Sequence, residues 1–258
     1  MTGLRIISLY SGSGGNATLV STRNAAILID AGKSARSLTA AIQRVGLDVD
    51  KIGAIFVTHE HTDHISALTV LEKKHPIPVH MTEMSAKRAN IQKGSPLSQH
   101  TVVHPPRFSV ELDGISVSSF CTSHDSAMSI GYRVQIGDFS FGIATDTGYV
   151  TEDMKKGLLG CDAVLIESNH DEDMLLTGPY PPELKKRILS RTGHLSNRDC
   201  AALAAELAKG GTKRFALGHL SEENNTPEMA VKTVGSALSG FEGISLFAAC
   251  PDSETVII

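Results

Sequence analysis

Six consecutive residues, His59-Glu60-His61-Thr62-Asp63-His64, gather three imidazoles around the carboxylate of Asp63. They follow Ala54-Ile55-Phe56-Val57, an apolar run that reads as a buried β-strand, so the cluster sits where a strand ends. His59 and His61 are two apart, and on extended backbone such side chains point to the same side. They can therefore bind one metal ion. Asp63 and His64 follow as the chain turns and can face a second ion beside the first. Zinc and its first-row neighbours accept imidazole and carboxylate together. A chance polar loop does not ordinarily hold four potential ligands in six positions.

The later chain supplies more ligand-type side chains in matching positions. His124 follows the run Ile115–Phe120, Asp146 follows Phe141–Ala144, and His219 follows Phe215–Leu217. Each ends an apolar strand with a polar group. If these strands share a sheet edge, the groups converge on one cleft.

Such a site needs a core to carry it, and the composition allows one. The 258 residues are 41% hydrophobic and 20% charged, enough for one large domain or two small ones. The formal net charge is −4 and no Lys/Arg-rich segment is present, so bulk charge does not announce nucleic acid. Bound cations would add local positive charge that this count omits. Cys121, Cys161, Cys200 and Cys250 form no CxxC pair and read as reduced core residues of a reducing compartment. Met1-Thr2-Gly3-Leu4-Arg5-Ile6 lacks the basic-then-apolar form of a signal peptide. No apolar run approaches the roughly 18 residues of a membrane span. A cytoplasmic enzyme with no membrane association is expected.

The elements that must position the site read as follows. Strands are expected at Arg5–Leu9, Ala17–Ser21, Ala25–Ile29, Ala54–Val57 and Val79–Met81, with helices at Ala35–Val45, Ile65–Lys74 and Ser85–Gln92. Arg107–Leu112 and Ile115–Phe120 flank Asp113-Gly114, a hairpin signal; Ser129–Ile136 and Phe139–Ala144 flank Gly137-Asp138 similarly. Strand and helix then alternate: Ala163–Ile166, Leu184–Ser190, Asn197–Ala208 and Phe215–Leu217. Ser196 with Asp199 forms a capping box, and Thr226 caps a last helix that opens on Pro227. Ile244–Ala248 and Thr255–Ile258 close the chain as strands. Two halves of this kind suggest two sheets face to face with helices outside, a four-layer αββα sandwich of α/β class, as one domain over residues 1–258.

This constellation resembles the metallo-β-lactamase fold superfamily, whose pattern is HxHxDH followed by a His, an Asp and a His at strand ends. The resemblance covers nearly the whole chain. It implies His59, His61 and His124 on one metal, Asp63, His64 and His219 on the other, and Asp146 bridging both. True β-lactamases commonly place a cysteine where this chain has Asp146, and this chain keeps Asp63; both features look like the hydrolase and nuclease branches.

Further segments narrow the branch. His194, in Gly193-His194-Leu195-Ser196-Asn197, precedes a helix, and Glu167 ends the strand before Ser168-Asn169-His170. The layout is similar to transfer-RNA 3′-processing nucleases, in which such a His pairs with a Glu and protonates the leaving group. The whole set is closer still to the WalJ (YycJ) family. It comprises Ser11-Gly12-Ser13-Gly14-Gly15-Asn16, His59–His64, Glu167–His170, Pro179-Tyr180-Pro181 with Leu184 and Arg187, and Gly193–Asn197. That resemblance implies a 5′-to-3′ exonuclease acting on duplex DNA, with a role in DNA repair.

For a phosphodiester the chemistry is a matter of charge. Two divalent ions, Zn²⁺ or Mn²⁺, about 3.5–4 Å apart can share a hydroxide that attacks phosphorus and can neutralise the oxygens of an in-line displacement. His194 is expected to give the leaving alkoxide its proton, oriented by Glu167, while Asp63 serves both metal and reaction.

The remaining candidates each have a plain alternative. Gly12-Ser13-Gly14-Gly15-Asn16-Ala17 superficially matches a dinucleotide fingerprint, but strand rather than helix follows, so no nucleotide cofactor is expected. The segment is either a tight loop or a phosphate lining with Ser13 and Asn16 as donors. His170 borders the cleft or lies on the surface. Asn224 and Asn225 make loop hydrogen bonds or bind phosphate at a helix N-terminus. Arg187, in the basic run Lys185-Lys186-Arg187, faces solvent or tracks a nucleic-acid backbone. His75, His80, His100 and His104 read as surface or structural. The function expected is a dinuclear metal-dependent DNA exonuclease. A transfer-RNA-processing-like ribonuclease and a small-molecule ester or lactone hydrolase are the alternatives.

Overall fold

The structure, a computed structural model, describes residues 3–90 and 99–258. Backbone packing divides the chain into two compact units: Met1–Ile115 with Ser126–Met128 and Cys250–Ile258, and Ser116–Asp125 with Ser129–Ala249.

The first unit contains β1 (Arg5–Tyr10), β2 (Ala17–Ser21), β3 (Ala26–Ile29), β4 (Ile52–Phe56), β5 (Val79–Thr82), β6 (Thr101–His104) and the last strand, β14 (Thr255–Val256). Their order is β14-β1-β2-β3-β4-β5-β6. β1 to β3 form an antiparallel meander, and β3 to β6 run parallel. All residues of β2 and β3 are buried, as expected for strands covered on both faces. Helices α1 (Ala35–Arg44) and α3 (Leu68–Lys74) place Leu38, Ala41, Ile42, Leu68 and Leu71 in one core with Leu19, Leu28 and Ile55. Ser34 caps α1 by accepting from the Ser37 N–H, and Gly46 follows its end with φ +78°.

The second sheet has the order β13-β12-β11-β10-β9-β8-β7. Its strands are β7 (Ser109–Leu112), β8 (Ile115–Cys121), β9 (Ile130–Ile136), β10 (Phe139–Ala144), β11 (Ala163–Glu167), β12 (Arg214–Gly218) and β13 (Ser245–Ala248). β8, β9 and β10 are antiparallel neighbours, while β10 to β13 run parallel. Asp113 and Gly114 both take positive φ between β7 and β8, the backbone a two-residue hairpin demands. Helices α5 (Glu152–Leu158), α8 (Asn197–Lys209) and α9 (Pro227–Leu238) bury Met154, Leu158, Leu203, Leu207, Val234 and Leu238 against Val164, Ile166, Phe215 and Leu217. Both sheets are mixed and flanked by helices, so the chain is α/β.

Most expected elements occur within two residues of their bounds, and the departures have local causes. The helix expected over Ile65–Lys74 is broken into α2 (Thr62–Ile65) and α3. Ala31 N–H donates to the His64 carbonyl at 2.8 Å and accepts at its own carbonyl from Ala67 N–H at 2.9 Å, so tertiary partners replace helical ones at the break. The helix expected over Ser85–Gln92 is α4 (Glu83–Arg88); its last two expected positions lie outside the described residues. The helix expected at Leu184–Ser190 is α7 (Pro182–Ile188), because Pro182 occupies a first-turn position where its missing N–H costs nothing. β6, α5 and α6 (Glu172–Thr177) are four to seven residues long, too short for a periodic pattern to register. Asp171 and Thr151 cap the two helices by accepting from Met174 N–H and Met154 N–H.

His80 and His104, on β5 and β6, continue a ladder of rings across the first sheet. Centroids are 4.8 Å apart for Phe56–His80, 5.1 Å for His80–His104 and 4.0 Å for His104–Phe108, all nearly parallel. His80 Nδ1 lies 2.9 Å from His104 Nε2, so a single proton bridges two neutral rings. Burial, and then the neighbouring His104, push His80 down to about 4. The folded state therefore resists a proton that the unfolded chain takes up below about pH 6.5. Stability from this site is complete above that pH and is lost as pH falls toward 4. Urea titrations at pH 7.5 and pH 5 should reveal a loss on the order of 1 kcal/mol from this group, reduced for its partial exposure. His80→Phe should shrink the difference between the two pH values; an unchanged difference rejects the assignment.

Candidate metal centre

In the first unit the chain leaves β4 at Phe56, crosses Thr58 to His61 and makes one helical turn, α2. His59 and His64 are buried, and the three rings cluster: His59–His61 centroids are 4.6 Å apart and His59–His64 4.1 Å. Nδ1 of His64 donates to Asp30 Oδ2 at 2.9 Å, and Nδ1 of His59 lies 3.1 Å from Thr58 Oγ1. Each contact makes Nε2 the nitrogen that could face an ion; Nε2 of His64 lies 3.1 Å from Asn16 Nδ2. This is the arrangement in which a carboxylate or hydroxyl behind the ring fixes tautomer and orientation. Asp30 is buried at the end of β3, and its Oδ1 also accepts from Thr58 N–H at 2.8 Å. Burial pushes the Asp30 carboxyl above its ordinary range, while His64 and Thr58 pull the other way.

Gly32 seats this turn. A Cβ there would coincide with the carbonyl of Asp63 and crowd the Asn16 backbone nitrogen. Without one, Asn16 N–H donates to the Asp63 carbonyl at 2.8 Å and Gly32 N–H to the Asn16 carbonyl at 2.9 Å.

In the second unit four parallel-running strands end at one edge, each with a site residue at or beyond its last position. His124 follows β8, Asp146 follows β10, Glu167 ends β11 and His219 follows β12. Carboxyl ends of parallel strands are where open α/β sheets place their chemistry. His124 Nδ1 donates to the Gly193 carbonyl at 3.0 Å, and its Nε2 lies 3.6 Å from Asp146 Oδ1. His219 Nδ1 lies 3.2 Å from Glu167 Oε1 and 3.3 Å from Asp146 Oδ1. Asp146, Glu167, His194 and His219 each bring a donor atom within 4.8 Å of the others. Burial lowers the proton affinity of His124, with the charge of Asp146 opposing.

The donor set suits a divalent cation. A tetrahedral ion with ligands at about 2.0–2.2 Å spaces those ligands roughly 3.4 Å apart. His64 Nε2 and Asp63 Oδ2 are 3.4 Å apart, and His124 Nε2 and Asp146 Oδ1 are 3.6 Å apart. His59, His61, Asp63 and His64 are the residues of the first unit that would hold an ion; His124, Asp146 and His219 are those of the second.

Glu167 has no exposed surface and serves three partners. Oε1 accepts from His194 Nδ1 at 2.6 Å and from His219 Nδ1, while Oε2 accepts from Thr147 N–H at 2.7 Å. Burial opposes its charge, but the charge and hydrogen bond of His194, with the bond from His219, outweigh burial. They hold the carboxyl well below its ordinary range.

The residues expected to touch substrate differ in their surroundings. Ser13 is exposed on its loop. Asn16 and Asn225 have their amides engaged within the chain. Asn16 Nδ2 donates to the Gly12 carbonyl at 3.1 Å and to Asp63 Oδ2 at 3.2 Å. Asn225 Nδ2 reaches the Ser168 and Asn169 carbonyls and Asn197 Oδ1, and its Oδ1 accepts from Thr226 N–H. Both therefore orient the site's framework. Asn224 is buried and donates to Ser221 Oγ. His170 is buried, which corrects the surface alternative, and burial lowers its proton affinity. Arg187 is half exposed and donates to Asp125 Oδ2 at 2.6 Å, so its charge is already paired. Sequence reasoning missed Asp30, Gly32, Thr58 and Thr147. Asp30 had a signal, a carboxylate directly after the apolar strand Ala26–Ile29, the pattern that singled out Asp146.

Comparison with known proteins gives this geometry a family. The beta-lactamase superfamily domain matches residues 25–220. The chain is 36% identical over 236 residues to exodeoxyribonuclease YycJ of Bacillus anthracis, covering 92% of this chain and 89% of the relative. It is also 36% identical to exodeoxyribonuclease WalJ of Streptococcus pneumoniae, with the same coverage of each. Among solved structures, the metallo-β-lactamase fold protein YhfI of Bacillus subtilis superposes with a TM-score of 0.73 at 15% identity, covering 99% of this chain and all of that one. The short form of human tRNase Z superposes at 0.66 and 19% identity, covering 98% of this chain and 99% of that one. The chain has the metallo-β-lactamase fold and belongs to the WalJ/YycJ-like family of that superfamily.

Proposed function

We propose that this protein is a metal-dependent 5′-to-3′ exodeoxyribonuclease, active in DNA repair, that hydrolyses phosphodiester bonds with a pair of divalent ions. The carrying observation is the 2.6 Å bond from His194 Nδ1 to a buried Glu167 that also holds His219. Exodeoxyribonuclease is the name of its 36% identical relatives, and it supports DNA as substrate ahead of RNA. The ligand assignment proposed is His59, His61 and His124 on one ion, Asp63, His64 and His219 on the other, with Asp146 shared. The two compact units are then halves of one hydrolase domain.

The residues so assigned would hold Zn²⁺ or Mn²⁺, which would supply a water of lowered pKa and positive charge against the phosphoryl oxygens. The chain's own groups do the rest. Asp30, Thr58, Gly193 and Glu167 fix the rings of His64, His59, His124 and His219. His194 commits Nδ1 to Glu167, so the proton it can give up is the one on Nε2. Glu167 holds Nδ1 and so aims the ring. The side chain of His194 keeps 17% of its surface exposed while Glu167 keeps none, so the acid reaches outward and its partner does not. Among the described residues no helix is long and apolar enough to cross a membrane.

Metal analysis of protein loaded with Zn²⁺ or Mn²⁺ should find two ions per chain. Asp30→Asn should weaken metal affinity about 10- to 100-fold, because only the ring's support changes. His194→Ala should keep both ions and lose about 10²–10⁴-fold in turnover on end-labelled duplex DNA. If His194→Ala loses an ion, the residue is a ligand and the acid assignment fails. Should the Mn²⁺- or Zn²⁺-loaded protein leave duplex DNA intact while cutting RNA or an ester, the exodeoxyribonuclease reading is overturned.

A further inference from the structure

Two side chains on the segments that carry Asp146 and His194 have no part in the chemistry described so far. The guanidinium of Arg191 lies over the ring of Tyr149, 3.8 Å from its centroid. Arg191 is exposed and Tyr149 half-buried, and among the described residues no carboxylate pairs with Arg191. An exposed guanidinium ordinarily seeks an acid; this one sits over a tyrosine ring instead.

The pair is tied to the reacting groups through backbone. Tyr149 stands three residues after Asp146, and Arg191 three before His194. Thr147 N–H is held by Glu167 Oε2, and Thr147 Oγ1 donates to the Tyr149 carbonyl at 2.8 Å. Gly148 lies so close to the Ser190 and Arg191 backbone that a Cβ would collide with it. Ser123 Oγ donates to the Arg191 carbonyl at 2.8 Å, and Gly193 N–H to the Ser190 carbonyl at 2.9 Å. The carboxylate that aims His194 thus also fixes the segment that carries Tyr149.

We infer that Tyr149 and Arg191 form a nucleobase platform: a base of the bound DNA strand stacks on the outer plane of the Arg191 guanidinium. Arg is suited to this because it is planar, permanently charged and weakly hydrated, and Tyr149 holds its plane in place. Stacking is indifferent to which base is presented, as an exonuclease moving through sequence requires. The inference rests on the nuclease reading but concerns binding, so the two can fail separately.

The test is binding of a fluorescent duplex with a frayed end to the Mn²⁺-loaded protein, intact or with one abasic residue at each of the first three positions. Wild type should lose about 5- to 100-fold in affinity at one abasic position. Tyr149→Ala and Arg191→Ala should bind intact DNA that much more weakly and show no further penalty at that position. Arg191→Lys keeps the charge without the plane and should behave like Arg191→Ala. Full rescue by lysine would mean a phosphate contact and would overturn the platform. So would variants that keep the abasic penalty, or variants whose two ions are lost with the affinity. Base-dependent binding without cleavage sinks the nuclease reading alone, and cleavage without base dependence sinks the platform alone. If DNA is neither bound nor cut, both fall.

Discussion

Two carboxylates taken out of water, Asp30 and Glu167, are what the rest of this structure must accommodate. A buried carboxylate is costly unless its oxygens are occupied. Both are occupied: Asp30 by Thr58, just past β4, and by His64 on α2; Glu167 by Thr147 and His219, just past β10 and β12, and by His194 ahead of α8. Each acid ends one parallel strand and ties it to the next. Asp30 joins the ends of β3 and β4; Glu167 joins the ends of β10, β11 and β12. Removing either acid would leave several donors without an acceptor in a region water does not reach.

The same bonds settle the imidazole tautomers. An imidazole has one donor and one acceptor nitrogen when neutral, and an acceptor behind Nδ1 commits Nε2 to the other side. Four of the rings proposed as ligands, His59, His64, His124 and His219, have Nδ1 held by an oxygen of the framework. His194 uses Nδ1 in the same way, although it is assigned no ion. What separates the proposed acid, His194, from the proposed ligand His219 is therefore not tautomer. His194 retains an exposed surface, whereas His219, bound to the same carboxylate oxygen, is buried.

Much of this was legible because the fold repeats one device. An apolar strand followed within four residues by a ligand-type side chain marks His59, His124, Asp146, Glu167 and His219 without coordinates. Asp30 fits the same rule and was passed over because it stands apart from other ligand types. Gly32 was illegible for a different reason: its role is a backbone approach to Asp63, 31 positions away, and no spacing in sequence reports that. For the amides of Asn16 and Asn225 the sequence leaves loop bonding and phosphate binding open, because a buried asparagine and a phosphate-binding one have the same sequence context. The structure adds their partners, Asp63, Ser168 and Asn197. The short helices α5 and α6 escaped because each offers barely two turns. Their caps, Thr151 and Asp171, were the readable part.

Backbone strain falls at these same strand ends. Five non-glycine residues among those described have positive φ: Asp30, Asn90, Asp113, Asp146 and His219. All are of the types that tolerate the left-handed region best, yet each visit costs roughly 1–2 kcal/mol. Asp113 and Asn90 sit in turns, where such a conformation is routine. The other three are a ring-holding acid and two proposed ligands. At each one the adjoining peptide group is gripped. Ala31 N–H, just past Asp30, is held by the His64 carbonyl at 2.8 Å. Thr147 N–H, just past Asp146, is held by Glu167 at 2.7 Å, and the His219 carbonyl takes Asn169 Nδ2 at 2.9 Å. A strained residue persists only where its surroundings leave it no alternative. Here His64 and Glu167 supply part of that constraint. The turn that aims a ligand and the bond that fixes a neighbouring ring are therefore one mechanical unit, and neither can relax without the other.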